Sequence, residues 1–173
     1  IAALSDCDFG LLVSVDMGFI RDHLDEFAQF IAVDGIRTRY FEKGSGPTVL
    51  LLHGSNFGAD LTADCSINWN RNFDDLAKWA HVIAIDRLGQ GLTDNPKTLA
   101  DYTMAAVVEH VAAFIRAKGL KEVHLVGHSR GGYISCRCTL DHPELIKTCA
   151  ILDSLTLAPG IGGMAKLMAN PPE

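Results

Sequence analysis

The sequence predicts an α/β fold built around a mostly parallel, doubly wound sheet. Short, continuous apolar runs, typical of strands buried on both faces, alternate with segments whose apolar residues recur at helical spacing. This alternation indicates strand–helix–strand crossovers, which place ligand sites at the carboxyl ends of the strands. The runs predicted as buried strands are Thr48–Leu52, His81–Ile85, Val123–Val126 and Thr148–Leu152.

Three helices are predicted among these strands. In the first, Asn72 is expected to cap a helix whose apolar positions include Trp79. The second helix spans Tyr102 to Lys118 and is closed by Gly119. The third spans Arg130 to Leu140 and follows a strand directly. Each helix can cover one face of the predicted sheet.

Before the first buried strand, the sequence predicts a helix and then a β-hairpin. Apolar residues at helical spacing predict the helix over Phe19 to Phe30. From Ile31 to Glu42 the residues alternate around Asp34-Gly35, a pair typical of two-residue hairpin turns.

One folded domain is expected, with a segment of different character at each end. Residues 1–30 are predicted to form an N-terminal extension, and residues 31–158 the core. Residues 159–173 are rich in Gly, Pro, Ala and Met and show no period, so we expect them to begin an insertion.

Composition limits the class of protein. The 173 residues are 48% hydrophobic and 21% charged, the balance of a globular domain rather than of a disordered or membrane protein. A formal charge of -6 and a pI near 5.6 give no electrostatic reason to expect nucleic acid or a membrane surface as a partner. The five cysteines lack CxxC spacing, which favours reduced thiols in a cytoplasmic protein and no metal site.

The strongest chemical motif is Gly127-His128-Ser129-Arg130-Gly131, a G-x-S-x-G sequence between a predicted strand and a predicted helix. So sharp a turn brings backbone close on both sides of the serine, so glycines must flank it. The serine then lies at a helix N-terminus, where N–H groups and the helix dipole stabilise negative charge on an attacked carbonyl. Ser129 is therefore the predicted nucleophile.

A second turn, His53-Gly54-Ser55, is expected to complete the site. A carbonyl held at the nucleophile needs two N–H donors for its developing charge, and we predict those of Ser55 and Arg130.

The histidines of the two turns, His53 and His128, are predicted to support them together with Gly54, Gly127 and Gly131. Shape and local hydrogen bonding explain an imidazole there without a role as general base. The Arg130 side chain has two open interpretations, steering of a substrate carboxylate and ordinary surface solvation.

The segment Asp86 to Gly91 can be compared with a nucleotide-binding loop, because it follows a predicted strand and contains glycines. Position 94 is Asp rather than Gly, and no helix begins there, so the pattern fails. The sequence predicts no cofactor.

Together the landmarks resemble those of the α/β-hydrolase family over about residues 33–158. Within the family the sequence looks most like meta-cleavage-product hydrolases, which cut a carbon–carbon bond in vinylogous 1,5-diketone acids formed during aromatic ring degradation. A serine at position 129 argues against the dehalogenase and epoxide-hydrolase branches, whose nucleophile is a carboxylate. The family landmarks are Leu52-His53-Gly54, Asp86–Asp94, Gly127–Gly132 and Asp141-His142-Pro143-Glu144, and the narrower resemblance rests on Gly35–Tyr40, Asp86–Pro96 and Tyr102-Thr103-Met104.

The resemblance also implies an acid and a histidine beyond the nucleophile, normally on strands seven and eight after a lid. No histidine follows His142, which is expected at the far end of the helix that starts at Ser129. Asp153 occupies an alternative acid position that some family members use, with a turn cap as the other interpretation. We therefore expect a fragment without the lid and C-terminal strands, nearly inactive by itself.

Three functions stay open. The leading one is a serine-dependent hydrolase that, in its complete form, cleaves a carbon–carbon bond. The others are a carboxylesterase of the same fold and a noncatalytic binding protein on a hydrolase scaffold. The expected partner is a small-molecule carbonyl or ester compound. An unpaired edge on the last strand would favour pairing with another chain, so a homo-oligomer also stays open.

Overall fold

The computed structural model of the chain describes residues 23–54 and 64–157, which contain one six-stranded sheet. The strands are β1 (Ala28–Val33), β2 (Ile36–Lys43), β3 (Thr48–Leu52), β4 (His81–Ile85), β5 (Val123–His128) and β6 (Ile146–Leu152). Their order in the sheet is β1-β2-β4-β3-β5-β6. The pairs β3–β4, β3–β5 and β5–β6 are parallel, and β1–β2 and β2–β4 are antiparallel. The predicted mostly parallel sheet is confirmed.

The predicted hairpin is formed by β1 and β2. Val33 pairs with Ile36, which leaves Asp34 and Gly35 as a two-residue turn. Both turn residues have positive φ, 50° and 78°. This is the combination that a type I′ turn requires, and it matches the right-handed twist of the two strands.

The helix predicted over residues 19–30 is wrong for the part that the structure describes. His23–Phe27 form a 3-10 turn, and β1 begins at Ala28. Leu24 is fully buried in a cluster with Phe41. Tertiary packing and pairing with β2 thus override the helical spacing. The domain boundary predicted at residue 31 falls inside β1, and residues 1–22 lie outside the described ranges.

Within the described ranges the α-helices are α1 (Asn70–Leu76), α2 (Met104–Ala117) and α3 (Arg130–Asp141). The Thr103 hydroxyl caps α2 by accepting the Ala106 N–H at 3.1 Å. Gly119, with φ 65°, follows the C-terminus of α2, as predicted. None of these helices combines the length and apolar content needed to cross a bilayer.

The prediction that Asn72 caps α1 is wrong. A 3-10 turn, Ser66–Trp69, runs directly into the helix, so Trp69 occupies the N-cap position. The helix ends at Leu76, whose carbonyl accepts the N–H groups of the turn that leads back to β4. Trp79 lies in that turn and is 82% exposed rather than packed against the sheet.

Both faces of the sheet are covered, and β3 shows how. Leu50 and Leu52 belong to the core cluster that contains residues of α2 and α3. Leu51 belongs to a second cluster with Phe73 of α1 on the opposite face. All three leucines are fully buried. A strand with two covered faces explains the continuous apolar run in the sequence.

The last strand, β6, lies at the edge of the sheet. Ile151 and Leu152 are each 44% exposed. No strand within the described residues pairs with the outer edge of β6. The carboxyl ends of β3, β4, β5 and β6 meet along one side of the sheet, where the loops carry the candidate site.

Candidate active site

Ser129 joins β5 to α3 in a strained backbone conformation. Its φ is 53° and its ψ is -119°. Such a conformation is rare for a residue with a Cβ and costs about 1–3 kcal/mol. Ser129 occupies the N-cap position of α3, at the positive end of the helix dipole. This is the strand-turn-helix geometry that the G-x-S-x-G pattern predicts.

Glycines flank Ser129 because the surrounding backbone leaves no space for side chains. A Cβ on Gly127 would overlap the Gly131 carbonyl group. A Cβ on Gly131 would overlap the carbonyl oxygens of Leu52 and His53 at the end of β3. The turn after β5 and the end of β3 are therefore in direct backbone contact.

Gly54 brings the second turn against the first. A Cβ on Gly54 would lie 2.9 Å from His128 Nδ1 and 3.0 Å from Ser129 Cβ. The predicted oxyanion donor Ser55 lies outside the described residues. The structure thus places the residue before it in contact with the predicted nucleophile.

The end of β6 also holds Ser129. The Ser129 N–H donates to the Leu152 carbonyl oxygen at 2.9 Å. The Ser129 carbonyl oxygen accepts from the Gly132 N–H at 2.9 Å and from the Ser154 hydroxyl at 2.6 Å. Three strand ends, those of β3, β5 and β6, therefore define the position of this serine.

His53 is buried, and both ring nitrogens have partners. The Arg87 backbone N–H donates to His53 Nε2 at 3.3 Å, so the ring proton lies on Nδ1 and is donated to the Gly54 carbonyl oxygen at 2.8 Å. Burial, and then the charge of Arg87, lower the pKa of His53 to about 4. His53 is a neutral imidazole that braces the turn after β3.

Arg87, at the end of β4, contacts the same turn and was not predicted from the sequence. It is 2% exposed, and its Nη2 donates to the Gly54 carbonyl oxygen at 2.7 Å. Burial, and then the nearby Arg130, lower the pKa of Arg87 to about 10. The available signal was a charged residue two positions after a buried strand, at the sheet edge where ligands bind.

Asp86, the residue before Arg87, organises the loop after β4. It is fully buried and accepts from Arg39 Nε at 2.6 Å, from the Ser66 N–H at 2.8 Å and from the Leu92 N–H at 2.8 Å. Gly91 lies directly against this carboxylate, and a Cβ on Gly91 would overlap it. Gly91 of this loop therefore serves an internal turn around a carboxylate.

The other predicted site residues lie around the turn Gly127–Gly131 that carries Ser129, called the elbow below. His128 is the exposed last residue of β5, and the half-buried Arg130 is the first residue of α3. Asp153 is exposed, has φ 44° and directly precedes Ser154 at the end of β6. Within the described residues no group of three or more His, Cys, Asp and Glu side chains is arranged to hold a metal ion.

His142 lies at the C-cap of α3, the opposite end of the helix from Ser129. A helix of 12 residues is about 18 Å long. His142 is instead hydrogen-bonded to Glu109 at 3.0 Å and to Arg116 at 3.1 Å. These contacts join the C-terminus of α3 to the middle and the last turn of α2.

Because burial lowers the pKa of two histidines, we predict that the folded chain loses stability in mild acid. The first of them is His53. The second, His110, is 7% exposed on α2 and hydrogen-bonded to Thr38 at 2.9 Å. Burial lowers the pKa of His53 and of His110 from 6.5 to about 4. Between pH 6.5 and about pH 4 the unfolded chain protonates both histidines and the folded chain protonates neither. The free energy of unfolding therefore falls as the pH is lowered, by about 2.7 kcal/mol per pH unit at most.

Urea unfolding at about pH 7 and about pH 5 measures this loss. His110→Gln is expected to remove about half of the pH dependence, because one of the two groups is gone. A variant with the full dependence of the parent chain would contradict the prediction.

A family model described as the alpha/beta hydrolase fold matches residues 47–169. The chain belongs to the α/β-hydrolase fold family.

The chain is similar to several proteins of known type. It is 41% identical over 125 residues to the dihydrolipoyllysine-residue acetyltransferase component of the acetoin cleaving system of Cupriavidus necator, covering 72% of this chain and 31% of the relative. It is 34% identical over 130 residues to the 2-hydroxy-6-oxo-6-(2'-aminophenyl)hexa-2,4-dienoic acid hydrolase of Metapseudomonas resinovorans, covering 75% of this chain and 43% of the relative.

Among solved structures, the chain matches a serine hydrolase involved in carbazole degradation, the CarC enzyme. The TM-score is 0.67 at 32% identity, over 82% of this chain and 54% of that one. The predicted resemblance to α/β-hydrolases is confirmed, and a dienoic acid hydrolase of the predicted narrower type is among the relatives. The chain spans less than half the length of the two curated relatives.

Proposed function

We propose that the complete protein is a serine-dependent hydrolase that cleaves a carbon–carbon bond in a 2-hydroxy-6-oxo-2,4-dienoic acid, with Ser129 as nucleophile. The observation that carries this proposal is the positive φ of Ser129 at the start of α3, enclosed by backbone on both sides. A strained serine at a strand end is explained by the need to present its hydroxyl above the sheet. Similarity to a dienoic acid hydrolase supports the substrate class.

The reaction starts at the 6-oxo carbonyl. Ser129 Oγ, or a water that Ser129 orients, adds to the carbonyl carbon and gives its proton to a base. The proposed donors to the resulting oxyanion are the N–H groups of Ser55 and Arg130, the latter at the N-terminus of α3. Collapse of the adduct breaks the carbon–carbon bond, and the leaving carbon takes up a proton. Where Ser129 Oγ makes the attack, a water then hydrolyses the acyl ester that is left on Ser129 and regenerates the hydroxyl. Net addition of one water gives a carboxylic acid and a 2-hydroxydienoic acid.

The described contacts do not favour either neighbouring histidine as the base. His53 is neutral, buried and engaged through both nitrogens. His128 is adjacent to the nucleophile in the chain and packs against Gly54. We therefore propose that the base lies outside this chain and that the 173 residues alone are nearly inactive. Asp153, beside Ser154, stays the candidate acid.

Charge near the elbow is compatible with an acidic substrate. Arg87 and Arg130 lie close enough for the second to lower the pKa of the first. The cation of Arg130, the residue after Ser129, favours an anionic compound at this edge of the sheet, although the Asp64 carboxylate near Arg87 offsets part of the positive charge. The cytoplasmic location and the absence of a cofactor stay predictions from the sequence.

Acyl chemistry on an ester is the second candidate. The relative that is 41% identical carries the name of an acetyltransferase component. Acyl transfer also proceeds by addition to a carbonyl carbon, so the same elbow would serve an esterase.

Turnover by the complete protein distinguishes these functions. A 2-hydroxy-6-oxo-2,4-dienoic acid and a p-nitrophenyl ester are compared by kcat/KM, with Ser129→Ala as control. We expect the dienoic acid to be preferred by at least about tenfold, a difference of about 1.4 kcal/mol in transition-state binding. Preference for the ester would favour the esterase. Turnover of neither compound by the folded protein would favour a noncatalytic scaffold.

A further inference from the structure

We propose that Ser154 is a positioning residue for the peptide between Ser129 and Arg130. In this role its hydroxyl holds the Ser129 carbonyl oxygen, and it thereby orients and strengthens the Arg130 N–H of the same peptide, a proposed oxyanion donor. This inference rests on the proposed function, because it gives Ser154 a task in the reaction without contact to the substrate.

The Ser154 hydroxyl is directed at the turn that carries the proposed nucleophile. It donates to the Ser129 carbonyl oxygen at 2.6 Å, between residues 25 positions apart. The same oxygen accepts the Gly132 N–H at 2.9 Å, and the Ser129 N–H donates to the Leu152 carbonyl oxygen at 2.9 Å. Ser154 therefore adds a side-chain hydrogen bond, from the segment after β6, to a residue that backbone contacts already hold.

An ordinary capping role does not explain this hydroxyl. Ser154 directly precedes the 3-10 turn Leu155–Leu157, where a serine side chain usually accepts a backbone N–H of the turn. Here the Leu157 N–H donates to the backbone carbonyl oxygen of Ser154 at 3.1 Å. Among the described residues, the partners of the hydroxyl are Ser129 and Thr156 instead.

The neighbouring hydroxyl of Thr156 determines the direction of the Ser154 proton. The two side-chain oxygens are 3.0 Å apart. A hydroxyl has one proton to donate, and Ser154 donates its proton to the Ser129 carbonyl oxygen, so Thr156 is the donor to Ser154. A chain of hydrogen bonds thus runs from Thr156 through Ser154 to the Ser129 peptide. The bonds of such a chain polarise one another, so that each strengthens the next.

Peptide geometry transmits this effect to the Arg130 N–H. A peptide group is planar, and its C=O and N–H point in opposite directions. A donor to the Ser129 oxygen therefore restrains the direction of the Arg130 N–H. It also polarises the peptide, which makes this N–H a stronger donor. Oxyanion donors act only when they are held at the position where charge develops, so loss of the Ser154 hydroxyl would weaken one of the two proposed donors.

Two features of the backbone permit the approach of Ser154. Gly132 has no side chain, and a Cβ there would lie 2.7 Å from Ser154 Cβ and 2.9 Å from Ser154 Oγ. Asp153, the residue before Ser154, has φ 44°, a left-handed conformation that is unfavourable for most residues with a Cβ. The contact thus depends on both segments, and it accounts for the glycine that follows the G-x-S-x-G motif.

The first test uses the 173-residue chain and observes the peptide directly. Ser129-Arg130 is the only Ser-Arg pair in the sequence, so labelling with 1-13C-serine and 15N-arginine gives a single coupled carbonyl–amide signal. In Ser154→Ala we expect the carbonyl resonance to move upfield and the Arg130 amide proton to shift, because hydrogen bonding to the oxygen deshields the carbonyl carbon. An unchanged signal would overturn the proposal.

Thr139→Val is the matched control for Ser154→Ala. The Thr139 hydroxyl also donates to a backbone carbonyl oxygen of α3, that of Ser135, at 2.8 Å. Thr139 lies towards the C-terminal end of the helix, away from Ser129. The control therefore removes the same kind of hydrogen bond from the same helix without reaching the elbow. We expect it to leave the Ser129-Arg130 signal and kcat unchanged.

The second test measures kcat and KM of the complete protein with the same variants. Ser154→Ala is expected to lower kcat by about 5- to 50-fold with KM changed less than about twofold, because a weakened oxyanion donor acts on the transition state. Thr156→Val keeps the Ser154 hydroxyl but removes the donor to it, and a smaller loss of kcat is expected with a smaller shift of the carbonyl signal. Thr156 is exposed, so this variant decides the question if Ser154→Ala does not fold.

A displaced carbonyl signal with the kcat of Thr139→Val, in either folded variant, would overturn the proposal, and so would a loss that appears in KM alone. Failure of the proposed function is separable, because it would appear as activity that survives Ser129→Ala, whatever the Ser129-Arg130 signal shows in the Ser154 and Thr156 variants.

Discussion

The Gly131→Ala variant is expected to lose about 3 kcal/mol of unfolding free energy and the reactivity of the elbow with it. The added Cβ would overlap the carbonyl oxygens of Leu52 and His53. These are backbone atoms of a buried strand end, so neither can rotate away as a flexible side chain would. Relief requires β3 and the turn after β5 to move apart, and that displaces Ser129.

Urea unfolding of Gly131→Ala and of Gly119→Ala measures this effect against a matched glycine. Gly119 has φ 65°, but a Cβ there meets nothing within 4 Å. Its replacement is expected to cost only the backbone strain, about 1–2 kcal/mol. Equal losses in the two variants would show that the backbone contact at Gly131 is looser than the structure has it.

The Asp86→Ala variant, which removes the carboxylate, is expected to lose about 3–5 kcal/mol of unfolding free energy, as much as Gly131→Ala or more. The variant leaves Arg39, which is 5% exposed, without the partner that its Nε contacts at 2.6 Å. It also leaves the N–H groups of Ser66 and Leu92 without the carboxylate acceptor they share. Arg39 then keeps only the longer pairing of its Nη1 with Asp25 at 3.7 Å, and this weaker compensation and the two lost acceptors act in the same direction.

A double-mutant cycle isolates this contribution. Asp86→Ala combined with Arg39→Met is expected to be less destabilised than the sum of the two single variants, since the buried charge is then gone. Asp141→Ala, which breaks an exposed pair with Arg137, is the control and is expected to cost less than about 1 kcal/mol. A loss at Asp86 as small as that at Asp141 would contradict the proposed role of the carboxylate.

Local patterns were sufficient to predict the elements in the middle of this fold. The apolar run Thr48–Leu52 is continuous because both faces of β3 are covered. Asp34-Gly35 supplies the positive φ values of the turn between β1 and β2. The predictions that failed depended on tertiary contacts. Spacing alone could not show that Ala28 begins a strand paired with β2, or that the turn after α1 exposes Trp79.

In the candidate site too, local patterns predicted the part that is consecutive in the chain and missed the contacts between distant residues. The G-x-S-x-G pattern identifies Ser129 because strand, turn and helix are consecutive in the chain, and the crowding around the glycines follows from that local geometry. The contact of Arg39 with Asp86 joins residues 47 positions apart, and that of Arg87 with Gly54 joins residues 33 apart. A single sequence carries no signal for which of its charged residues will meet across a sheet edge.

Covalent labelling of the folded 173-residue chain by a fluorophosphonate, followed by peptide mapping, tests most directly that Ser129 is a nucleophile whose base lies outside this chain. We expect the label at Ser129 alone, none in Ser129→Ala, and a rate more than about 10³-fold below that of the complete protein. Labelling of another residue, or equal labelling of Ser129→Ala, would contradict the assignment of the nucleophile. Rapid labelling of Ser129 in the isolated chain would show that the base lies among these residues.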